Sequence, residues 1–229
     1  MPTVSDFTGA QVPETDFADD DGTSNPRLRV ALSEYAQLAT AECARRVLDL
    51  LVEDRLLVPV VAKVDSMNGD SEKDSHMESV EFHSEDGRKA LLAFTGIDSL
   101  ELWDSQARPI PRASHIVAKS VLEQDFDALI IDIAGPVPTA IDGMLLNLLA
   151  IGPHREELLD DALDEVCESL GEIDGIDSAD WDDTDEEVTI TLHVSTPTAT
   201  LGADVAAVIQ ASNLNALLDR PLEVQVAGK

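Results

Sequence analysis

Two apolar runs rich in β-branched residues limit most strongly what this chain can fold into. They are RLLVPVVAKV at 55–64 and ALIIDI at 128–133. Continuous apolar runs of this length are typical of strands that are buried on both faces. Segments whose apolar residues recur every three or four positions lie before, between and after them, as expected for helices with one buried face. The alternation predicts an α+β fold in which helices cover mixed β-sheets.

The length and the turn signals predict two α+β domains. The chain has 229 residues, whereas domains most often contain roughly 100–150 residues. Gly152 and Pro153 form the clearest break between apolar segments. We therefore expect an acidic, partly ordered tail over 1–24, a domain over 25–151 and a small domain over 152–229 with the order α-β-β-α-β.

The first helix has a clear start signal. Asn25 suits the N-cap position and Pro26 suits the first helical position. Apolar residues from Leu28 to Leu50 follow on one face, so the pattern predicts a single helix of about six turns. This face can be buried within the domain or against a second copy of the chain, which leaves a homo-oligomer open.

A hairpin is predicted in the middle of the first domain. SVEFHSEDGRKALLAF at 79–94 contains two apolar strands, the first with Val80 and Phe82 on one face. Asp86 and Gly87 between them favour the positive φ angles of a type I′ turn. The polar stretch at 65–76 that precedes the hairpin predicts a mobile loop.

The stretch FTGIDSLELWDSQARPIP at 94–111 is the candidate binding region. Thr95 followed by Asp98 has the capping-box pattern, so we expect a short helix to begin there. The prolines after it predict an extended segment. One face of the short helix then carries Ile97, Leu100 and Trp103.

Tryptophan and arginine lie close together in this region of a chain in which aromatic residues make up only 3%. One interpretation is that Trp103 and Arg108 stack or share a binding surface. The other is that Trp103 anchors the core and Arg108 covers it. We predict a site for an unidentified protein or small metabolite, and its residues are Phe94, Thr95, Trp103, Arg108 and Pro109.

The charge balance bears on the partners. Forty-six acidic and fifteen basic residues give a formal net charge of −31. Such a charge repels nucleic acid and anionic membrane surfaces, so we expect neither as a partner. No apolar run approaches the roughly 18 residues of a membrane span, and Met1 to Gly22 resemble no signal peptide. We therefore expect a cytoplasmic protein.

No motif predicts a catalytic, cofactor or metal site. The five histidines and two cysteines show no metal-ligand spacing, so we predict no cofactor and no metal. Two alternatives stay open. One is an enzyme that uses the carboxylates of Asp132 and Asp142 across a Gly-Pro turn. The other is a calcium-responsive module built on the acidic run at 156–187, although that run lacks the register of an EF-hand loop.

The segments LLVPVVA, EDGRKALLAFT, SLELWDSQARPIP and ALIIDIAGP together resemble the SseB family (enhanced serine sensitivity protein B) in its actinobacterial form. The resemblance covers roughly residues 17–151. Gly96 stands where serine is usual and Ile133 where proline is usual. The matching positions are Pro59, Gly87, Arg88, Phe94, Thr95, Trp103, Arg108, Pro109, Asp132, Gly135 and Pro136.

The resemblance implies a bacterial protein linked to serine sensitivity, and it supplies no activity, substrate or catalytic residue. We therefore expect a non-catalytic module that binds a protein or a metabolite.

Overall fold

The computed structural model describes residues 17, 20–62, 77–79, 81–83, 87–184 and 186–227. Most of the predicted tail, the predicted loop at 65–76, Val80 and Asp86 lie outside these residues. The helices are α1 (Pro26–Leu38), α2 (Ala41–Val52), α3 (Ile97–Trp103), α4 (Ser114–Glu123), α5 (Gly143–Ile151), α6 (Arg155–Gly171), α7 (Leu201–Ala211) and α8 (Leu214–Leu217). The strands are β1 (Arg55–Ala62), β2 (Met77–Ser79), β3 (Glu81–His83), β4 (Lys89–Ala93), β5 (Arg108–Ala113), β6 (Ala128–Ile131), β7 (Thr139–Asp142), β8 (Ile176–Asp183), β9 (Val188–Val194) and β10 (Leu222–Val226).

The strands form three small sheets with the orders β2-β1-β5, β3-β4-β6-β7 and β10-β9-β8. The pairs β4-β6 and β9-β10 are parallel and the other pairs are antiparallel. Leu57 and Phe94 exchange two backbone hydrogen bonds, of 2.8 and 2.9 Å, and so join the first two sheets. The predicted α+β class with mixed sheets is confirmed.

The first two sheets have helices on both faces. On one face, apolar side chains of α1, α2, α4 and α5 pack against the strands; Leu28, Leu48, Val117 and Leu149 are examples. On the other face, Leu57, Leu92, Phe94 and Leu100 form a smaller cluster beneath α3, which we call the α3 cluster. Neighbouring strand residues therefore point into different clusters, as the alternation of a strand requires.

The chain beyond Gly152 has its own apolar cluster. Side chains of α6, α7, α8, β8, β9 and β10 pack together there, and Ile151 contacts both this cluster and that of the first two sheets. The element order contains the predicted α-β-β-α-β series with the short α8 added. The division into two domains at 151 and 152 stays a prediction, because a domain is defined by folding on its own.

The predicted first helix is divided into two. Asn25 caps α1 and Pro26 opens it, as expected, but Ala39 adopts a left-handed conformation with φ 48°. The Thr40 hydroxyl then accepts a hydrogen bond of 3.2 Å from the Cys43 backbone N–H and caps α2. Threonine favours N-cap positions because its side chain replaces a missing helical partner, and this local signal interrupts the continuous apolar face.

The predicted hairpin consists of β3 and β4, which pair antiparallel up to His83 and Lys89. Gly87 has a φ angle of 87°, as a turn glycine can. The turn type and the common face of Val80 and Phe82 stay predictions because Asp86 and Val80 lie outside the described residues. The Phe82 side chain itself is exposed.

The two cysteines differ in burial, and we expect them to differ in reactivity. Cys167 is buried in α6, and burial raises the pKa of its thiol to about 11, whereas Cys43 is half-buried. Only the thiolate reacts, so at pH 8 the thiolate of Cys167 is reduced on the order of 100-fold relative to an ordinary thiol. Pulse labelling with iodoacetamide and mass spectrometry should find Cys43 modified first, and equal labelling only in urea. Equal labelling of the native protein would contradict the burial of Cys167.

Candidate functional site

Two parallel strands end side by side at the centre of the candidate site. Thr95 follows β4 and Asp132 follows β6, so both residues lie at the carboxyl ends of neighbouring strands. Thr95 donates to Asp132 twice, from its backbone N–H at 2.9 Å and from its hydroxyl at 2.6 Å. Asp132 is only 5% exposed and has a φ of 54°. The Asp132 carboxylate therefore holds the chain at the point where β4 ends.

Arg29 of α1 reaches over this pair. Its Nε donates to the Thr95 hydroxyl oxygen at 2.9 Å and lies 4.0 Å from Asp132 Oδ2. Its other nitrogens donate to both carboxylate oxygens of Asp98, at 2.6 and 2.5 Å, and to the Ser99 hydroxyl at 2.7 Å. The hydrogen bonds from Arg29 lower the pKa of Asp98. The arginine thus ties α1 to the start of α3.

Arg55 at the start of β1 is a buried charge with a complete set of partners. It forms an ion pair with Asp20 and donates to the Thr95 carbonyl oxygen at 2.6 Å and to the Thr23 carbonyl oxygen at 2.8 Å. The Gly22 carbonyl oxygen accepts from the Ile97 backbone N–H at 2.8 Å. Residues 20–24, which we call the 20–24 segment, are therefore packed against the strand ends. The hydrogen bond from Arg55 also lowers the pKa of Asp20.

The predicted capping box of α3 is wrong. Gly96, not Thr95, is the N-cap, and it has no side chain to donate or accept. The Thr95 hydroxyl is already bonded to Asp132 and Arg29, so it cannot cap the helix. A Cβ atom at Gly96 would lie 2.8 Å from Asp98 Oδ1 and 2.9 Å from Ser24 Cβ. The close approach of the 20–24 segment and of Asp98 thus leaves little room for a side chain at this position.

The five predicted binding residues differ in exposure. Phe94 and Thr95 are buried, at 0% and 1% exposure. Trp103 is half-buried, and its ring lies 5.6 Å from that of Phe94, with a tilt of 35°. Arg108 and Pro109 are exposed on β5. Whether these residues bind a partner stays a prediction.

The register of β1 and β5 places Trp103 and Arg108 on opposite faces of the sheet. Pro111 pairs with Leu57, a member of the α3 cluster against which Trp103 packs. Arg108 pairs with Val60 and, three positions from Pro111, points to the other face. The tryptophan therefore packs on Phe94, and the arginine faces solvent rather than covering the ring.

Two arginines of β5 differ from most other arginines of the chain because they form no ion pair with a carboxylate among the described residues. Arg29, Arg46, Arg55, Arg155 and Arg220 each form an ion pair with a carboxylate. By contrast, Arg108 and Arg112 have no ion pair or hydrogen bond from their side chains to the described residues, and the same holds for Arg27 on α1. Arg112 is not among the predicted binding residues, although its position two residues beyond Ile110 in an extended segment was a signal.

Some carboxylates of the acidic run at 156–187 form ion pairs with arginines. Arg220 pairs with Asp183, with Asp219 at 2.6 Å and with Glu156 at 3.5 Å. Arg155, also buried, lies 3.2 Å from Asp219 Oδ2 and donates to the Leu217 carbonyl oxygen at 3.2 Å. Several of these groups line a cleft of about 420 Å³ that α2 borders. At least part of the run therefore neutralises buried arginines.

The comparison with family models gives one match for this chain. The model described as the SseB protein N-terminal domain matches residues 28–147, more than half of the chain. Neither the comparison with curated proteins nor that with solved structures produced a match. The matched region contains α1 to most of α5, and with them Arg29, Thr95 and Asp132.

Proposed function

This chain belongs to the SseB family, and on that premise we propose that it is a non-catalytic binding protein whose contact surface includes β5. The partner is a protein or a small metabolite, and we propose a link to serine sensitivity because of the family's name. No helix in the described part of the chain is long and apolar enough to cross a membrane.

The exposed guanidinium of Arg108, which has no partner among the described residues, is the observation that carries this proposal. The chain has about three acidic residues for each basic one, yet no described carboxylate pairs with this arginine. A charged side chain that stabilises no internal contact is available to an anionic group of a partner. Arginine is also among the residues that contribute most to protein interfaces.

The other predicted residues support this surface in different ways. Phe94 and Thr95 are buried, so we propose that they act by holding α3 and Trp103 in place. Pro109 limits the backbone of β5 to an extended conformation and removes a hydrogen-bond donor from a sheet edge. Trp103 is half-buried and packs on Phe94 on the face of the sheet opposite Arg108, so we propose that it supports the fold there.

The geometry around Asp132 supports a structural role for that carboxylate. Both of its oxygens accept hydrogen bonds from Thr95, and Arg29 lies against one of them. A general acid or base must instead reach the proton of a substrate. We therefore propose binding without catalysis.

Replacing Arg108 with alanine should strongly weaken the capture of a partner without changing the melting temperature. The full chain is immobilised and exposed to an extract of its host cells, and bound proteins and metabolites are identified by mass spectrometry. A species that binds the original chain should fall at least tenfold with Arg108→Ala, because an arginine at the centre of an interface contributes about 2 kcal/mol or more.

Arg27→Ala is the matched control, since Arg27 is also exposed and unpaired but lies on α1. It should retain the same species at the original level. Trp103→Ala is expected to lower the melting temperature because the ring packs on Phe94. If Arg108→Ala and Arg27→Ala retain every captured species equally, β5 is not the contact surface.

A further inference from the structure

A groove between β5 and α4 lies beside the two unpaired arginines of β5. It has a volume of about 220 Å³, enough for one medium-sized apolar side chain. Arg112 forms part of its wall, and Arg108 stands next to it, opposite the lining residue Val60. Other lining residues are Val58, Ile110, Ile116, Ser120 and Gln124.

The charge of this groove is opposite to that of the chain as a whole. The chain has a net charge of −31, yet in the part of it that the structure describes no carboxylate lines the groove. Lys119 of α4 is exposed nearby, but it has Glu123 at 4.0 Å as an ion-pair partner. Among the side chains that the structure describes, the two arginines of β5 are thus positive charges without an opposing carboxylate beside an apolar depression.

The spacing of these groups follows from the strand. Arg108, Ile110 and Arg112 alternate with prolines and therefore point to the same face. At about 3.3 Å per residue, the two arginines are roughly 13 Å apart, with Ile110 midway between them. An extended peptide has the same repeat, so carboxylates four residues apart match the two guanidinium groups.

We propose that this groove docks an extended acidic segment of a partner protein, with two carboxylates four residues apart and one apolar side chain midway between them. Each carboxylate pairs with one of Arg108 and Arg112, and guanidinium groups bind carboxylates through two parallel hydrogen bonds. The apolar side chain fills the depression over Ile110. This inference rests on the binding function proposed above and names the class of partner.

Strand addition at the free edge of β5 does not explain such docking. Pro109 and Pro111 have no backbone N–H, so the outer edge of β5 lacks two of the donors that an added strand needs. Side chains must therefore provide the recognition. At physiological ionic strength charges beyond about 8 Å are largely screened, so carboxylates that lie farther away than this oppose the binding only weakly.

A labelled peptide containing Glu-Thr-Leu-Thr-Glu tests the proposal directly. Its binding to the full chain is measured by fluorescence anisotropy at about 0.15 M salt, where the distant charges are screened. We expect Arg108→Glu and Arg112→Glu each to weaken binding at least tenfold. Arg27→Glu, the matched control, should stay within twofold. The permuted peptide Glu-Glu-Thr-Thr-Leu should bind at least fivefold more weakly than the first.

Several results would overturn this inference. The inference is wrong if the first peptide does not bind, or if the two peptides bind equally well. It is also wrong if Arg27→Glu and Arg112→Glu weaken the binding of the first peptide equally. Arg112→Gln removes the charge without adding a carboxylate, and it serves if Arg112→Glu lowers the melting temperature. The proposed function fails separately if capture from extract is insensitive to Arg108→Ala. If the peptide does not bind but Arg108→Ala still reduces the capture from extract, only the acidic nature of the partner is overturned.

Discussion

Replacing Asp20 with alanine is expected to lower the free energy of unfolding by about 3–5 kcal/mol. The Arg55 side chain is only 7% exposed, and its charge is compensated by the Asp20 carboxylate. Without Asp20, a buried positive charge loses its counter-charge, and this costs more than the intact pair contributes. The contact of the 20–24 segment with the strand ends should weaken at the same time. Urea denaturation of the full chain measures the change.

Asp21→Ala is the control for this experiment. Asp21 is the exposed neighbour, and its carboxylate accepts a hydrogen bond of 2.8 Å from the Thr23 backbone N–H. Its replacement should cost much less than that of Asp20, because the carboxylate of Asp21 compensates no buried charge. The double variant Asp20→Ala, Arg55→Met should recover much of the loss because it removes the uncompensated charge together with its partner. If Asp20→Ala is no more costly than Asp21→Ala, the ion pair does not hold the segment.

The same ion pair should leave a signature in the pH dependence of stability. Hydrogen bonds from Arg55 lower the pKa of Asp20 in the folded chain below its ordinary value of 3.8. A carboxyl group with a lowered folded pKa stabilises the protein fully above its unfolded pKa, and this contribution is lost as the pH falls through the folded pKa. The original chain should therefore lose stability below about pH 4 more steeply than Asp20→Ala does.

Asp132→Ala is expected to cost about 3 kcal/mol or more in unfolding free energy. The substitution leaves the Thr95 backbone N–H and hydroxyl without their acceptor in a buried site and removes the negative charge next to Arg29. Each buried donor left unpaired costs about 1–3 kcal/mol. Asp132→Asn, which keeps one carbonyl acceptor, should fall between the original chain and the alanine variant.

Asp142→Ala is the natural comparison, because the sequence suggests Asp132 and Asp142, on the two sides of one turn, as a candidate pair of catalytic carboxylates. Asp142 is half-exposed, and its contact is with exposed Arg88 at 3.9 Å. Exposed ion pairs contribute about 0–1 kcal/mol, so this variant should be nearly as stable as the original chain. Equal losses from both substitutions would show that burial of Asp132 is not what matters.

Local signals in the sequence predicted much of the fold. Asn25 and Pro26 predicted the start of α1, and the apolar run from Arg55 predicted β1. These predictions succeed because caps and apolar periodicity depend on residues within a few positions of one another. The prediction of a single long first helix was wrong, because the same kind of short-range signal, the Thr40 cap, outweighed a continuous apolar face. The strand β7 was missed, since its four residues alternate between buried and exposed over too short a length.

The site was harder to predict because its contacts join distant parts of the chain. Nothing near Thr95 in the sequence indicates that its hydroxyl bonds Asp132, 37 residues away, rather than capping α3. The separation of Trp103 from Arg108 likewise depends on the register between β1 and β5. An arginine at the first position of a buried strand, Arg55 of β1, was one usable signal, because a charge buried at that point requires a carboxylate partner.

The sequence by itself determined the α+β class, the main helices and strands, and the membership of a family whose model matches residues 28–147. Only the tertiary structure decided which side chains are available to a partner. It buried Phe94 and Thr95, assigned Asp132 to a structural hydrogen-bond cluster, and left Arg108 and Arg112 exposed on one face of β5. The reason is physical: periodicity is a local property of the chain, whereas strand register and charge pairing are set by residues that meet only after folding.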